Sequence, residues 1–438
     1  MAEFFIAPTG SDTTGDGSQA TPWASIAKAY ASSASGDTIR AAAGTYATSN
    51  VSMSSPRTIL GPNAEVSSEE TREPEAVLTT QFTFADGSDG TTVDGLSLIN
   101  ATRCFVTSFT NGASNIAILN NIVTGGTYAL ALSGLTTSLV TGWSVAGNRF
   151  TGQTTACVWL QSFVPFTGFS VSGNTFVNNT APDGIVTNCG SGLVVENNTF
   201  TNSNQRAVNI KGGNIESVVP SVVVRNNTFN SGAATTKMFV SIGHIGDTVH
   251  FDQTTALVEN NTFNYNTDTG GMWSAVVVTG SKGATVRSNT LNTTGTTVRF
   301  LPFLTVWDTV GEGKLVASNN SIHGNTALMS AASPVFCIQD GSLVSPQTTM
   351  MFDTNTIDHF DSVLVVGDGV STGLQTGTSV TVFNNIYTDV PYAVSTGPGA
   401  LVDARYNFWT DKSGPSGGIN DPVTGKIANG TGMVMGTY

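Results

Sequence analysis

An asparagine recurs along this 438-residue chain at the end of a short run of apolar and β-branched residues. The anchoring positions, with Asp94 as an earlier acidic version, are Asp94, Asn121, Asn148, Asn174, Asn198, Asn227, Asn261, Asn289, Asn320, Asn355, Asn385 and Asn407. Consecutive positions lie 22 to 35 residues apart, with a mean of about 28. This repeat constrains the fold most strongly, because each repeat must bury its apolar face against its neighbours.

Three apolar columns keep a fixed offset from the recurring asparagine. Two lie five and three residues before it, as in Val222 and Val224, and their spacing of two is the period of a β-strand. The third lies two residues after it, as in Phe229. A second strand is visible in several repeats, for example in 275–278. A propeller blade would need about 40–45 residues, so stacked parallel strands fit the repeat length better.

These columns predict an all-β fold, a single-stranded right-handed parallel β-helix of about 12 rungs with a short N-terminal capping helix. The asparagines would hydrogen-bond to the rungs above and below as an asparagine ladder. Thr21 and Pro22 are predicted to begin the capping helix. We expect the cap and first rungs in 1–90, the β-helix in 91–410 and a C-terminal tail in 411–438.

Composition excludes several functional classes. Charged residues make up only 11% and the net charge is −13, which disfavours a nucleic-acid partner because phosphate binding needs a basic surface. No apolar stretch is long enough to insert into a membrane. The four cysteines lack CxxC spacing and are expected to be unpaired buried thiols. No cofactor and no metal site are predicted.

The N-terminal segments 5–12, 20–23, 36–39 and 43–46 resemble the start of the broad pectate-lyase-like right-handed β-helix superfamily. Residues 406–409 and 413–416 are similar to the closing rung of its adhesin-like members. The resemblance spans nearly the whole chain and implies the fold. It leaves function open, because the superfamily includes polysaccharide lyases and hydrolases, epimerases, adhesins, and phage tailspikes and other virion proteins. The calcium-ligand cluster of its lyases has no match here.

An outward column suggests self-association. The position four residues before the ladder asparagine is apolar in several repeats although the strand period turns it outward: Val194, Val223, Leu257, Val316 and Met351. We expect a neighbouring subunit or a loop to cover it, and a homotrimer is the favoured assembly. Glu196, Arg225, Glu259 and Arg287 form an alternating outward column that predicts an exposed ion-pair ladder.

Three carboxylates at the ends of second strands are candidate catalytic residues: Asp308, Asp340 and Asp368. On adjacent rungs they would lie about 5 Å apart for neighbours and about 10 Å for the outer two, within the range glycosidases use. The alternative is that they are turn residues. His323 and His359 follow ladder asparagines at a similar offset and are interpreted as surface residues.

Aromatic residues in or beside two Phe-x-Pro-Phe loops are candidates for stacking on a glycan or for subunit contact: Trp159, Phe163, Phe166, Phe300, Phe303 and Trp307. Packing of each loop on its own rung is the alternative.

The preferred functional hypothesis is a non-enzymatic, surface-displayed β-helix, a phage virion protein that acts as a tailspike-like receptor binder or as a capsid decoration protein. Its partners would be copies of itself, other virion proteins or a cell-surface polysaccharide. A polysaccharide lyase or glycoside hydrolase is the alternative, and a bacterial adhesin is the second. Because residues following Met1 lack a signal-peptide pattern, a virion or extracellular location is expected.

Overall fold

The computed structural model describes residues 1–48, 50–100, 102–107, 113–133, 140–161, 166–178, 180, 182–187, 190–201, 205–211, 221–231, 238–243, 251–265, 274–279, 281–294, 301–307, 309–330, 333–338, 348–366, 378–390, 392–396, 401–404, 406–409, 429–430 and 433–435. The chain divides into two compact units. The first comprises Met1–Ser203 with Ile215–Val218, and the second comprises Asn204–Asn214 with Val219–Tyr438.

The first unit contains three parallel sheets, visited in turn by successive strands. Its sheet A consists of β1 (Glu3–Ile6), β2 (Thr38–Ala41), β5 (Thr58–Leu60), β8 (Thr92–Asp94), β11 (Ala117–Leu119), β15 (Ser144–Ala146), β19 (Ser170–Ser172) and β23 (Leu193–Glu196). Sheet B consists of β3 (Gly44–Tyr46), β6 (Ala76–Leu78), β9 (Ser97–Ile99), β12 (Ile122–Thr124), β16 (Arg149–Thr151), β20 (Thr175–Val177) and β24 (Thr199–Thr201). Sheet C consists of β4 (Val51–Met53), β7 (Phe82–Phe84), β10 (Arg103–Thr107), β13 (Tyr128–Ser133), β17 (Ala156–Gln161) and β21 (Asp183–Thr187). A small additional sheet contains β14 (Val140–Thr141), β18 (Phe166–Thr167) and β22 (Gly190–Ser191).

The second unit repeats this arrangement. Its sheet A consists of β26 (Ser221–Arg225), β29 (Phe251–Glu259), β32 (Ser281–Arg287), β35 (Thr309–Ser318), β38 (Thr349–Asp353), β41 (Ser379–Phe383), β44 (Leu401–Asp403) and β47 (Met433–Met435). Sheet B consists of β27 (Thr228–Asn230), β30 (Thr262–Tyr265), β33 (Thr290–Thr293), β36 (Ser321–His323), β39 (Thr356–Asp358), β42 (Ile386–Thr388) and β45 (Phe408–Trp409). Sheet C consists of β25 (Arg206–Ile210), β28 (Met238–Ile242), β31 (Ser274–Val278), β34 (Leu304–Val306), β37 (Pro334–Ile338), β40 (Ser362–Val366), β43 (Tyr392–Thr396) and β46 (Asn429–Gly430).

Consecutive strands within each sheet pair in parallel, as in β30 with β33 and β36 with β39. A chain that visits three parallel sheets in rotation and returns to each one rung later is a parallel β-helix, so the predicted all-β class and β-helix are confirmed. The predicted boundaries at residues 90 and 410 stay predictions, and most of 411–438 lies outside the described residues.

The predicted asparagine ladder is present within each unit. Asn261 is 1% exposed, its backbone N–H donates to Asn289 Oδ1 at 2.9 Å, and its Nδ2 donates to Val224 O at 2.9 Å and to Asn289 Oδ1 at 3.0 Å. The same bonds connect Asn121 through Asn198 in the first unit and Asn227 through Asn407 in the second. Each amide therefore joins its own rung to two others.

A left-handed residue precedes each ladder asparagine and turns the chain from sheet A into sheet B. Its φ lies between 50° and 66°, and the residues are Asn120, Gly147, Gly173, Asn197, Asn226, Asn260, Ser288, Asn319, Thr354, Asn384 and Tyr406. Glycine and asparagine tolerate this region best, which accounts for the frequent Asn-Asn and Gly-Asn pairs.

The interpretation of Asp94 as an earlier ladder position is wrong. Asp94 pairs in register with Leu119, and the N–H of Leu96 donates to Asn121 Oδ1 at 3.0 Å, so Leu96 occupies the ladder position. Asp94 instead accepts a hydrogen bond from Asn120 Nδ2 at 2.9 Å. Burial raises the pKa of its carboxyl group.

The three predicted apolar columns form the core. The residues five and three positions before each ladder asparagine are buried except Ala404, which is half buried. The column two residues after it is also buried up to Tyr387, and its rings stack, for example Phe176 on Phe200 with centroids 4.5 Å apart. The side chain of Trp409 lies outside the described residues.

The N-terminal capping helix is confirmed, but its predicted start is wrong. Helix α1 spans Ile26–Ser32, and Ser25 is the N-cap, whose side chain accepts from the Lys28 N–H. Asp12 fixes the cap by accepting from the N–H and the hydroxyl of Ser25. A second short helix, α2, spans Thr326–Ser330. No helix within the described part of the chain has the length and apolar character needed to cross a membrane.

Cys104, Cys157 and Cys337 are free and buried, as expected, and Cys189 lies outside the described residues. Burial raises the pKa of the Cys104 thiol to about 12 and that of Cys337 to about 11.

Removing one ladder amide tests the contribution of the ladder to stability. Asn261→Ala would leave the N–H groups of Asn227 and the carbonyl of Val224 without their bonds to Asn261, so we expect a loss of about 3 kcal/mol in unfolding free energy. Asn260→Gly is the matched control, because Asn260 is exposed at φ 54° and glycine adopts this conformation readily. Denaturant unfolding measures both, and equal losses would contradict the ladder's role.

Candidate functional site

A polar column runs along the outward side of sheet B in the second unit. It occupies the position three residues after each ladder asparagine, and its neighbours pair in register: Asn230, Asn264, Asn292, His323, Asp358 and Thr388. These side chains are half buried, whereas the residue before each is at most 1% exposed, as Phe263 and Ile322 illustrate. The strand period therefore turns this column away from the core.

The first part of this column is a ladder of amides. Asn264 Nδ2 donates to Asn230 Oδ1 at 2.9 Å, and Asn292 Nδ2 donates to Asn264 Oδ1 at 2.9 Å. An asparagine amide carries two N–H bonds and a carbonyl oxygen with two lone pairs. The row therefore presents hydrogen-bonding groups at the rung spacing of about 4.8 Å.

The column continues into a Ser-His-Asp chain on two adjacent rungs. Ser321 and His323 lie two residues apart on β36, so their side chains point to the same side. Ser321 Oγ is 2.8 Å from His323 Nε2, and His323 Nδ1 is 2.6 Å from Asp358 Oδ2. Asp358 lies on β39, where it is the register partner of His323.

His359 and Asp389 extend the chain to a third rung. His359 Nδ1 is 2.8 Å from Asp358 Oδ1, and His359 Nε2 is 3.4 Å from Asp389 Oδ2. Both residues directly follow their strands with φ of 55° and 53°. Histidine and aspartate adopt this left-handed region more often than most residues. The His359 side chain contacts Asp358, and the Asp389 side chain contacts His359. We call Ser321, His323, Asp358, His359 and Asp389 the His–Asp cluster.

The hydrogen-bonding capacity of an ionised carboxylate restricts where the protons of the His–Asp cluster can lie. An ionised carboxylate only accepts hydrogen bonds, so Nδ1 of His323 must carry the proton shared with Asp358. In the neutral ring Nε2 is then an acceptor, and the Ser321 hydroxyl donates to it. His359 faces a carboxylate at each nitrogen and can donate to both only with two ring protons.

The cluster is open to solvent and has apolar neighbours. The side chains of His323, His359 and Asp389 are 42%, 40% and 61% exposed. In register with Ser321, on the following rungs, stand Thr356, Ile386 and Phe408. Ile386 and Phe408 are 44% and 62% exposed. The site therefore combines proton-transfer groups with an accessible apolar strip.

The His–Asp cluster is not among the predictions made from the sequence, although the sequence contains a signal for part of it. His323 and His359 are on the surface, as interpreted, but their offsets from the ladder asparagines differ, three residues for His323 and four for His359. Asp358 shares the offset of His323, which places the two side by side. A comparison of residues at the same offset from the ladder asparagines predicts that His323 and Asp358 are neighbours. The positions of His359 and Asp389 follow from the left-handed backbone at the corner, which the offsets do not reveal.

The predicted catalytic residues Asp308, Asp340 and Asp368 lie outside the described residues, so their role stays a prediction. Across the described part of the chain, no group of three or more His, Cys, Asp or Glu side chains is arranged to hold a metal ion.

The predicted aromatic contact residues have different environments. Phe166 and Phe303 are fully buried and pack against core rings. Trp159 and Trp307 are half buried, and Phe163 and Phe300 lie outside the described residues.

Trp159 packs edge-on against Tyr128 with ring centroids 4.4 Å apart, and Arg103 lies 5.7 Å from the Tyr128 ring centre. Burial raises the pKa of Tyr128, and the nearby Arg103 charge opposes this shift.

The predicted apolar outward column is half buried in both units. Val194 lies in the first unit, and Val223, Leu257, Val316 and Met351 lie in the second. There Val223 pairs with Leu257 and Val316 with Met351. In the charged column beside it, Arg287 and Glu259 form an ion pair with Nη2 and Oε2 2.7 Å apart.

Strand order, register and ladder define this protein as a parallel β-helix. No protein-family model and no curated protein matches the chain.

Similar solved structures include an alginate lyase from Paenibacillus sp. str. FPU-7, with 13% identity, coverage of 74% of this chain and 95% of that chain, and a TM-score of 0.38. Others are XylC in complex with xylose (10% identity, 90% and 77% coverage, TM-score 0.37) and a GH136 lacto-N-biosidase from Eubacterium ramulus (8% identity, 93% and 68% coverage, TM-score 0.38). The fold of this chain follows from its own strand order and register.

Proposed function

We propose that this protein is a polysaccharide-degrading enzyme, a hydrolase or lyase, that cleaves a glycan at the His–Asp cluster. The observation that carries the proposal is the chain of two hydrogen bonds and one ion pair that joins two histidines and two aspartates on successive rungs. Charged residues are only 11% of this sequence, so such a concentration of titratable groups is unusual within it. Groups that exchange protons are what cleavage of a glycosidic bond requires.

The amide ladder suits a linear carbohydrate. Sugar hydroxyls both donate and accept hydrogen bonds, and the amides of Asn264 and Asn292 offer both kinds of partner at a regular spacing. Sugar rings also present apolar faces that pack on aromatic side chains, which Phe408 offers. A row of partners along successive rungs fits a polymer better than a small compact ligand.

The cluster contains the groups for both kinds of cleavage. Hydrolysis needs an acid for the leaving oxygen and a base for water, and elimination needs a base for a ring proton. His359 is held between Asp358 and Asp389, so it can pass a proton at Nε2 while Asp358 keeps Nδ1 in place. Asp389, 61% exposed against 22% for Asp358, is the more exposed of the cluster's two carboxylates and is the second acid–base group.

Replacing the shared carboxylate tests the proposal. Asp358→Asn removes the acceptor common to both imidazoles, and we expect the cleavage rate to fall at least about 100-fold. Release of reducing ends and of unsaturated ends from a panel of neutral and uronic-acid polysaccharides distinguishes hydrolysis from elimination. Asp353→Asn, which removes one carboxylate from β38 of sheet A, should retain activity. Wild-type inactivity on every polymer, or an active Asp358→Asn variant, would contradict the proposal.

A second candidate function is a non-enzymatic display role, favoured by the only half-buried apolar column of Val223, Leu257, Val316 and Met351. Burying these side chains against other copies would remove apolar surface from water. This supports the homotrimer, and with it a virion or adhesin role in which a cell-surface polysaccharide or other virion proteins are the partners.

The molar mass in solution, measured by light scattering, tests the display role because that role depends on the homotrimer. We expect a mass three times that of the chain, and a monomer for Leu257→Glu because a charge cannot be buried unpaired in an apolar interface. Thr124→Glu places the same charge on an exposed threonine of β12 and should leave the trimer intact. A monomeric wild-type protein would exclude this assembly.

A further inference from the structure

We infer that Ser321 is the nucleophile of a serine esterase that removes acyl groups from hydroxyls of the bound glycan. Only the identity of the acyl carrier rests on the proposed function, since the nucleophile, Ser321, and its covalent readout belong to the esterase alone. His323 and Asp358 are shared by the two activities.

The geometry provides the arrangement that activates a serine. The hydroxyl, the imidazole and the carboxylate follow one another, with 2.8 Å between Ser321 Oγ and His323 Nε2 and 2.6 Å between His323 Nδ1 and Asp358 Oδ2. Serine nucleophiles are recognised by this order of contacts rather than by fold or by sequence position.

The direction of the hydrogen bonds from Ser321 through His323 to Asp358 is also the one that activation of a serine requires. Because the Asp358 carboxylate accepts from Nδ1, the neutral His323 ring presents Nε2 as a base toward the Ser321 hydroxyl. The other carboxylate oxygen of Asp358 accepts from His359 Nδ1 at 2.8 Å, which fixes its orientation. His359 is thus a positioning residue for this reaction.

The reacting atoms are held by the strands and remain accessible. Ser321 and His323 lie on one strand, and Asp358 is in register on the next, so the hydrogen bonds of the sheet set their separation. The His323 side chain is 42% exposed, and the face is open to a substituent that protrudes from a polymer. The hydroxyl-bearing Thr290 and Thr356 are the register partners of Ser321 and can donate to a developing oxyanion.

The reaction balances with water as the only co-substrate. Ser321 Oγ attacks the ester carbonyl carbon while its proton moves to His323 Nε2. The tetrahedral intermediate expels the sugar oxygen, which takes that proton, and an acyl-Ser321 ester remains. Water then attacks the acyl carbon and gives a proton to Nε2, the carboxylic acid leaves, and the proton returns to Ser321.

Covalent labelling with a fluorophosphonate, followed by peptide mass spectrometry, tests the nucleophile, and hydrolysis of p-nitrophenyl acetate tests turnover. We expect the label on Ser321 and a loss of at least about 100-fold in labelling and hydrolysis for Ser321→Ala and for His323→Gln. His323→Gln keeps the serine, so its failure to label reports activation rather than removal of the hydroxyl. Ser318→Ala, which changes a half-buried serine of β35, should behave as wild type.

The outcomes separate this inference from the proposed function. An unlabelled wild-type protein, a label on another residue, or a fully labelled His323→Gln variant would overturn the esterase, even if the protein cleaves a polysaccharide. Labelling of Ser321 without cleavage of any polymer would support the esterase and contradict the proposed function.

Discussion

The hydrogen bonds of the buried asparagine ladder are the interaction on which the rest of this structure depends. Each amide joins its own rung to two others, and a left-handed residue before it turns the chain at the same point in every rung. A slip of one residue would expose the core columns, and it would also leave buried amides and carbonyls unpaired. The ladder therefore fixes the register over repeats that differ from 22 to 35 residues in length.

Because the register is fixed, side chains at the same offset from the ladder asparagine become neighbours along the sheet. His323 and Asp358 come from repeats 35 residues apart, yet they are adjacent because both lie three residues after a ladder asparagine. The amides of Asn264 and Asn292 occupy the same column on other rungs. The register of sheet B runs without a shift from Asn264 to Asp358, so the column stays continuous across repeats of different length.

The fold could be predicted from the sequence because every repeat must bury apolar side chains at the same offsets from the ladder asparagine. These positions are visible in the sequence as periodic apolar columns. Asp94 was misassigned because a carboxylate before glycine resembles the ladder pattern, while the register shows Leu96 at that position. The capping helix starts later than predicted because Asp12, distant in sequence, holds Ser25 as its N-cap. The His–Asp cluster was missed because its outer residues are joined by corner conformations that residue spacing does not reveal.

The most direct test of this account is the protonation of the His323 ring, measured by NMR of protein labelled with ¹⁵N-histidine. The chain has only four histidines, and the His323 signals are assigned by their loss in His323→Gln. We expect Nδ1 of His323 to carry a slowly exchanging proton that is hydrogen-bonded to Asp358. A ring protonated at Nε2, with freely exchanging protons, would show that the ladder does not bring Ser321, His323 and Asp358 together.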